Sequence, residues 1–184
     1  NSWYQSDNKG EVYEYVTPTY YSKNGIEEKD KHISIHGTSY YYDTTGERIQ
    51  DKLTYSESMM AWFKANTKGI LTNEVTPWGH YVNGNRLFDS LVEISNRHYY
   101  FEPADWGGNM SMNKWAYSPS KNSWYRSNDK GETLDFVTPS SYLKNGIAQK
   151  DAHISIHGAG YYFEPTGKMA QNKWVYSHSM LAWF

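Results

Sequence analysis

The sequence repeats one pattern three times, and this constrains its fold more than any other feature. Residues 1–63 align without a gap onto residues 122–184, and 37 of the 63 positions are identical. The stretch between them is a third, more divergent copy. A tryptophan recurs at intervals of 59, 62 and 59 residues, at Trp3, Trp62, Trp124 and Trp183. Regular periods of this length indicate stacked supersecondary elements rather than one globular core.

The repeat carries further landmarks in a fixed order. Each copy has Val-Thr-Pro, then Asn-Gly, then a double tyrosine, and in the first copy these begin at Val16, Asn24 and Tyr40. The middle copy is longer by three residues near 105–107. We therefore predict three composite copies: copy 1 over 1–61, copy 2 over 62–123 and copy 3 over 124–184.

Each copy is predicted to consist of short β-hairpins. In copy 3, residues 153–156 alternate between polar side chains and β-branched isoleucine, which is typical of a strand. His157-Gly158 then supplies a turn, and residues 161–163 form the returning strand. We also predict strands at 173–176 and 181–184, and the Val-Thr-Pro to Asn-Gly segment adds a hairpin of its own. Helical periodicity longer than about ten residues is missing. The predicted fold class is all-β, a solenoid-like array of hairpins.

Composition excludes several classes of function. The net charge is −2 with both signs interspersed, so we expect no nucleic-acid partner. The chain has no cysteine, which rules out disulfides and thiolate metal sites. No stretch approaches 18 apolar residues, so we expect no membrane insertion. The sequence is expected to be a piece of a longer secreted protein, with its last repeat cut in mid-strand.

Tyrosine and tryptophan are strongly over-represented. Aromatic residues make up 17% of the chain, with 18 Tyr and 8 Trp. In each copy an aromatic pair is followed within a few residues by glycine and then often methionine, as in Tyr161-Tyr162-Phe163 before Gly167-Lys168-Met169. This pattern resembles the cell-wall-binding repeats of Gram-positive bacteria, which include choline-binding and glucan-binding modules. The resemblance covers roughly two-thirds of each copy, in about six partial matches.

The resemblance implies ligand sites between successive hairpins, built from aromatic rings with a methionine nearby. Rings attract a quaternary ammonium by roughly 0.5–2 kcal/mol per contact, and they also stack on sugars. The candidate ligand-binding residues are Trp115 with Trp124, Trp174 with Trp183, Tyr100 with Met110, Tyr162 with Met169, and also Trp3 and Trp62. The alternative is that these rings only seal the core between hairpins.

The histidines and acidic residues do not indicate a metal centre or an active site. His32 and His36, like His153 and His157, are four residues apart, which on a strand separates them by about 13 Å. That is too far for one ion, so we interpret them as structural residues beside turns. The acids recur once per copy instead of pairing across one cleft, as a glycosidase would need. We expect no catalytic residues, no metal and no cofactor.

The sequence thus predicts a non-catalytic module that holds a secreted bacterial protein on a cell-wall polymer, either the choline of teichoic acid or a wall polysaccharide. One alternative is α-glucan binding of the glucosyltransferase kind. Another is a structural spacer or adhesion stalk with no small-ligand site. The resemblance also implies homodimer formation through terminal repeats.

Overall fold

The computed structural model describes residues 2–184 and confirms the all-β prediction. The chain divides after Leu87 into two compact units, here called the N-terminal and C-terminal units. The predicted copy boundaries after residues 61 and 123 fall at strands rather than between them. Trp62 and Trp124, which open copies 2 and 3, each lie in the second strand of a hairpin, so the sequence period gives the length of a repeat but not where a sheet begins.

The N-terminal unit contains a four-stranded sheet, a hairpin and a five-stranded sheet, all of consecutive antiparallel strands. Its strands are β1 (Trp3–Ser6), β2 (Val12–Val16), β3 (Tyr21–Lys23), β4 (Ile26–Glu28), β5 (Lys31–Ile35), β6 (Thr38–Tyr42), β7 (Leu53–Ser56), β8 (Ala61–Ala65), β9 (Leu71–Thr76), β10 (Gly79–Val82) and β11 (Asn85–Leu87). Strands β1–β4 form the first sheet, β5 pairs with β6, and β7–β11 form the second sheet.

The C-terminal unit begins with a hairpin, continues with a five-stranded sheet and ends with two hairpins. Its strands are β12 (Ser90–Ile94), β13 (Arg97–Phe101), β14 (Trp115–Ser118), β15 (Ser123–Ser127), β16 (Thr133–Thr138), β17 (Ser141–Lys144), β18 (Ile147–Gln149), β19 (Ala152–Ile156), β20 (Ala159–Phe163), β21 (Tyr176–Ser177) and β22 (Ala182–Trp183). A 3-10 turn at Ala104–Trp106 occupies the three-residue insertion of the middle copy.

The predicted hairpins are present, with one difference in length. The Val-Thr-Pro and Asn-Gly segments form the turns between β2, β3 and β4, as predicted. The strands predicted at 173–176 and 181–184 shorten to β21 and β22. Strand β22 pairs with β21 alone among the described residues, whereas β8 and β15 pair on both edges. Fewer ladder hydrogen bonds hold this last hairpin, so less of it is regular strand.

Two-residue turns with positive φ at both positions fix the registers. Asn24-Gly25 has φ values of 53° and 76°, and His36-Gly37 has 48° and 76°. This is the geometry of a type I′ turn, whose twist matches that of the flanking strands. Asparagine and glycine tolerate it best, and histidine adopts it more readily than a β-branched residue does. The His-Gly pair therefore works as a hairpin turn, as the sequence predicts.

The double tyrosines occur because the hairpins β5–β6, β12–β13 and β19–β20, here called the long hairpins, are buried on both faces. Successive strand residues point to opposite faces. Tyr40 and Tyr42 pack with Val16 against the first sheet, whereas Tyr41 stacks on Phe63 of the second, with 4.4 Å between ring centroids. Such a ring pair contributes about 0.5–1.5 kcal/mol beyond the area it buries. A strand with two buried faces needs a continuous aromatic run.

A carboxylate at the start of each long hairpin ties the hairpin to the next one. Asp30 accepts hydrogen bonds from the hydroxyls of Tyr41 at 2.5 Å and Ser56 at 2.7 Å, and also from Ser58. We call this arrangement the Asp–Tyr–Ser cluster. It recurs at corresponding positions as Asp89, Tyr100, Ser118 and Ser120, and as Asp151, Tyr162, Ser177 and Ser179.

These hydrogen bonds change the acidity of the carboxylates. Burial by itself would raise the pKa of Asp89, but the bonds from Ser118, Ser120 and Tyr100 outweigh it and lower that pKa to about 2. Bonds from Ser179, Tyr162 and Ser177 lower the pKa of Asp151 to about 2. The clusters therefore keep their aspartates ionised at a lower pH than an ordinary aspartate would be.

Candidate ligand-binding site

A tryptophan, a histidine and a tyrosine meet at one edge of the N-terminal unit. Trp3 lies on β1, His36 in the turn between β5 and β6, and Tyr40 on β6. The indole and imidazole centroids are 5.4 Å apart with their planes at 49°. Trp3 Nε1 donates a hydrogen bond to the Tyr40 hydroxyl at 3.4 Å. We call this group the Trp–His–Tyr site.

The C-terminal unit builds the same site with nearly the same geometry. Trp124 and His157 have centroids 5.4 Å apart with their planes at 47°. Trp124 Nε1 donates to the Tyr161 hydroxyl at 2.9 Å. Two separate sets of residues thus reach one arrangement, which indicates that the repeat specifies it.

Strand register places these side chains together. Trp3 pairs with Val16 and Trp124 pairs with Val137, and both valines are buried in the core. Each indole therefore stands at the edge of a packed cluster, beside the turn that carries the histidine. The type I′ turn holds the imidazole outside the strand, where it meets the indole.

The N-terminal site opens into a cavity of about 400 Å³. Trp3 and His36 line it together with Gln5, Ser34 and Glu14. Trp3 is 37% exposed and lines the cavity, so its side chain is accessible. The Glu14 carboxylate accepts a hydrogen bond from the Tyr21 hydroxyl at 2.8 Å and lies 3.4 Å from Lys23 Nζ. An aromatic face beside a carboxylate is suited to an organic cation.

The C-terminal site differs at the two positions beside its tryptophan. Arg126 and Asp135 occupy the places of Gln5 and Glu14, and Arg126 Nε donates to Asp135 Oδ2 at 2.6 Å. The hydrogen bond to Asp135 raises the pKa of Arg126. Glu14 also has a cationic neighbour, Lys23, but Lys23 does not line the cavity beside Trp3, whereas Arg126 lies on the same strand as Trp124 and contacts Asp135 directly.

The structure places Trp115 and Trp124 on the same core cluster, around Val137 and Ile156. The rings beside Trp124 are nevertheless those of Tyr117, its cross-strand partner, at a centroid distance of 5.0 Å, and of His157 at 5.4 Å. Trp62 has the equivalent neighbour in Tyr55 at 4.9 Å. These tyrosines were missing from the candidate residues, although their fixed spacing before the tryptophan was visible in the sequence.

Trp174 and Trp183 are the most exposed of the candidate tryptophans, at 80% and 64%. Trp183 has Tyr176 as its ring neighbour, at 5.2 Å. Exposure of this degree leaves both indoles accessible, but the contacts of Trp183 are with the β21–β22 hairpin rather than with Trp174. Their pairing in a ligand site stays a prediction.

The candidate tyrosines and methionines lie in or against the core. Tyr100 is fully buried, with its hydroxyl on Asp89 at 2.7 Å, and Tyr162 is buried with its ring stacked on Phe184 at 4.4 Å. Met110 is buried beneath a turn, and Met169 packs against the cluster around Phe163. Their positions favour a packing role, which was the alternative interpretation of these rings.

Sequence reasoning missed that His36 and His157 belong to the candidate site. The spacing argument assigned them to turns, which is where they lie, but it gave them no part in a site. The signal was present in the sequence. His-Gly follows the opening tryptophan at the same interval in both outer copies, whereas the middle copy has Ser95-Asn96 there.

No protein-family model matches the chain, and no curated protein matches it. Among solved structures, the chain is similar to the choline-binding domain of CbpL from Streptococcus pneumoniae, with 23% identity over 90% of this chain and 66% of that one and a TM-score of 0.35.

Two further structures are similar at comparable levels. The endolysin of phage Cp-1 complexed with choline has 18% identity over 93% of this chain and 37% of that one, with a TM-score of 0.31. Alternansucrase in complex with isomaltotriose has 17% identity over 77% of this chain and 10% of that one, with a TM-score of 0.33. The chain thus spans less than two-thirds of the length of each of these structures. Within residues 2–184 the structure has no helix long and apolar enough to cross a membrane.

Proposed function

We propose that this chain is a non-catalytic module that binds a bacterial cell-wall polymer through its Trp–His–Tyr sites. The observation that carries the proposal is the recurrence of that site, with matching geometry, in both units. Core aromatic residues need no accessible face, yet Trp3 keeps one and lines a cavity. The module would anchor a larger secreted protein to the wall.

The N-terminal site favours a quaternary ammonium such as the choline of a teichoic acid. A cation over an indole face gains about 0.5–2 kcal/mol, and the Glu14 carboxylate lines the same cavity, whereas its partner Lys23 does not. A single site of this kind is weak. Repetition along one chain makes such sites useful, because linked sites can exceed the affinity of one by a factor of about 10² or more against a polymer.

The C-terminal site favours a neutral sugar instead, and this supports the second candidate function, α-glucan binding. The Arg126–Asp135 ion pair removes the net negative charge beside Trp124. Guanidinium and carboxylate groups next to an aromatic ring are also well suited to sugar hydroxyls and the C–H face of a sugar ring. Both candidates use one scaffold with different side chains beside the tryptophan.

The test is a titration of the protein with choline chloride, in which NMR records the chemical shifts of the indole N–H groups. A titration with sodium chloride at equal ionic strength is the control. His36→Asn removes the imidazole but keeps a residue that tolerates the turn. We expect it to weaken binding by about three- to tenfold, and Trp3→Ala by tenfold or more, since one ring contact accounts for about 0.5–2 kcal/mol. Trp78→Ala removes an indole of similar exposure, 43%, that does not line this cavity, and serves as the control.

The outcomes separate the candidates. Unchanged choline affinity in both His36→Asn and Trp3→Ala would show that the site is elsewhere. Binding of dextran but not choline, lost in Trp124→Ala, would favour the glucan function. Failure of the folded protein to bind choline, dextran or isolated cell walls would leave the structural spacer.

A further inference from the structure

A nearly buried arginine occupies a second cavity of the N-terminal unit. Arg48 follows the turn after β6 and is 7% exposed. Its guanidinium lies over the Tyr40 ring at 5.0 Å from the centroid, and its Nη2 donates to the Lys68 carbonyl oxygen at 3.5 Å. The Tyr42 side chain is also hydrogen-bonded to Arg48, and a cation held this far from solvent needs such partners because its burial is costly.

The turn between β8 and β9 is shaped to cover this arginine. Asn66 Oδ1 accepts hydrogen bonds from the backbone N–H groups of Lys68 at 2.9 Å and Ile70 at 3.0 Å, which closes the turn. Gly69 has a φ of 73°, and a Cβ there would come within 2.7 Å of Arg48 Nε. Only glycine allows the backbone to approach the guanidinium so closely.

The resulting cavity has the donor set of an oxyanion site. Its volume is about 350 Å³, and Arg48, Lys68, Gln50 and Thr67 line it beside the Tyr40 ring. Arginine, lysine, amide and hydroxyl groups are all hydrogen-bond donors, and the two cations can form charge-assisted bonds to phosphate. None of the described residues that line this cavity is acidic. The adjoining cavity shares Arg48 and Gln50 with this one and also contains Glu47 and Lys52, with Lys52 bound to Asp43 at 2.9 Å.

The repeat shows that this cation is not required by the fold. Arg48 forms an isolated β-bridge with Tyr42, and the corresponding bridges join Phe101 to Met110 and Phe163 to Met169. Methionine therefore occupies the same position twice. In the C-terminal unit the equivalent glycine, Gly131, covers Met110 as Gly69 covers Arg48. A charge that appears at one of three equivalent buried positions points to a specific use.

We propose that the Arg48 cavity binds a phosphate group. The site goes beyond the proposed function, because it would bind an anion even if the Trp–His–Tyr site bound nothing. The two sites share Tyr40, whose hydroxyl accepts from Trp3 and whose ring faces Arg48. A polymer that carries phosphate groups next to organic cations or sugars would contact both.

The test is an NMR titration of the ¹⁵N-labelled protein with sodium phosphate, compared with sodium chloride at equal ionic strength. We expect saturable shifts at the backbone amides of Thr67, Lys68 and Gly69 with phosphate only. Arg48→Met places in this cavity the residue found at positions 110 and 169, so the fold should tolerate it. It should weaken phosphate binding by about tenfold or more, because charge-assisted hydrogen bonds are about twice as strong as neutral ones.

Two further variants keep the arginine. Lys68→Gln should weaken phosphate binding by about threefold, as expected for the loss of one exposed cation. Lys9→Gln removes a lysine from the corresponding turn of copy 1 and should change nothing. The indole shifts with choline should survive in Arg48→Met, which separates this proposal from the Trp–His–Tyr site.

Three results would overturn the proposal. One is equal shifts with phosphate and chloride, and another is unchanged phosphate affinity in both Arg48→Met and Lys68→Gln. The third is acetate or sulfate binding as tightly as phosphate, which would make the cavity a general anion site rather than a phosphate site.

Discussion

The two units of the molecule share a backbone plan but differ in what they bury at equivalent points. Beneath the turn between the second and third strands of the five-stranded sheet, the N-terminal unit has Arg48 under Gly69 and the C-terminal unit has Met110 under Gly131. The turn is the same in both, closed by Asn66 in one and Asn128 in the other. One scaffold thus accommodates a charge or a thioether at the same depth.

A second difference lies where the long hairpin packs on the five-stranded sheet. In the N-terminal unit His32 Nε2 lies 3.0 Å from Glu74 Oε2, and its ring stacks on Phe63 at 5.4 Å. In the C-terminal unit the corresponding residues are Leu91 and Phe136, which pack on Tyr100 and Tyr125. A polar pair in one unit is replaced by an apolar pair in the other.

The comparison shows which positions the fold depends on. Elements common to both units are the type I′ turns, the hairpins with two buried faces and the Asp–Tyr–Ser clusters. Positions beside these shared elements vary, as Gln5 and Arg126 do. Conformation and ligand chemistry are therefore carried by different residues, and variants can separate them.

The largest effect is expected from breaking an Asp–Tyr–Ser cluster. Asp89→Asn keeps a residue that tolerates the positive φ of 45°, but it removes the charge that accepts bonds from Tyr100 and Ser120. Hydrogen bonds to a charged group contribute about 1.5–3 kcal/mol each and are not additive, so we expect a loss of about 3 kcal/mol in the free energy of unfolding. Urea unfolding monitored by circular dichroism measures it.

The matched variant in the N-terminal unit is Asp30→Asn, which should cost a similar amount because Asp30 has the same partners. As a control, Asp129→Asn changes an aspartate in an exposed turn and should leave the urea midpoint near that of the wild type. If Asp30→Asn and Asp89→Asn proved as stable as wild type, the clusters would be incidental contacts.

Protonation of Asp89 in acid should also destabilise the protein, by less than the Asp89→Asn substitution does. The folded-state pKa of Asp89 is about 2, below its ordinary value of 3.8. Its stabilisation is therefore fully present above about pH 4 and is lost as the pH falls toward 2, to a total of about 2 kcal/mol. Urea midpoints measured between pH 5 and pH 2 should fall less steeply for Asp89→Asn than for wild type. Parallel curves for the two proteins would contradict this origin of acid sensitivity.

Much of the fold followed from the sequence, because turns and alternation are local properties. His157-Gly158 and the strands on either side of it were predictable from residue type alone. The Trp–His–Tyr site was not, because it depends on the register that brings β1 beside the turn between β5 and β6. The burial of Tyr100 and Met110 was equally hidden, since an aromatic–glycine spacing is the same whether the ring faces a ligand or the core.

The contact between His32 and Glu74 can be exchanged for its apolar counterpart, with a predicted effect on stability of intermediate size. His32→Leu leaves the buried Glu74 carboxylate without the imidazole and should cost about 1–2 kcal/mol, the cost of an unsatisfied polar group. The double variant His32→Leu with Glu74→Phe installs the C-terminal unit's combination and should recover most of this loss. Thermal unfolding of the single and double variants measures the coupling. Additive losses would show that the two units are not interchangeable at this contact.

The smallest predicted difference in stability is between alanine variants of Gly69 and Gly131, the glycines that cover Arg48 and Met110. A Cβ at Gly131 would lie 2.1 Å from Met110 Sδ, whereas at Gly69 the nearest atom, Arg48 Nε, is 2.7 Å away. Gly146 has a similar positive φ of 76° and nothing within 4 Å, so Gly146→Ala measures the conformational cost alone, about 1 kcal/mol. We expect Gly69→Ala to exceed that control and Gly131→Ala to exceed Gly69→Ala by about 1 kcal/mol, since overpacking a filled site costs about 1–3 kcal/mol. Equal urea midpoints for all three alanine variants would mean that both turns yield freely, and that neither holds its buried residue in place.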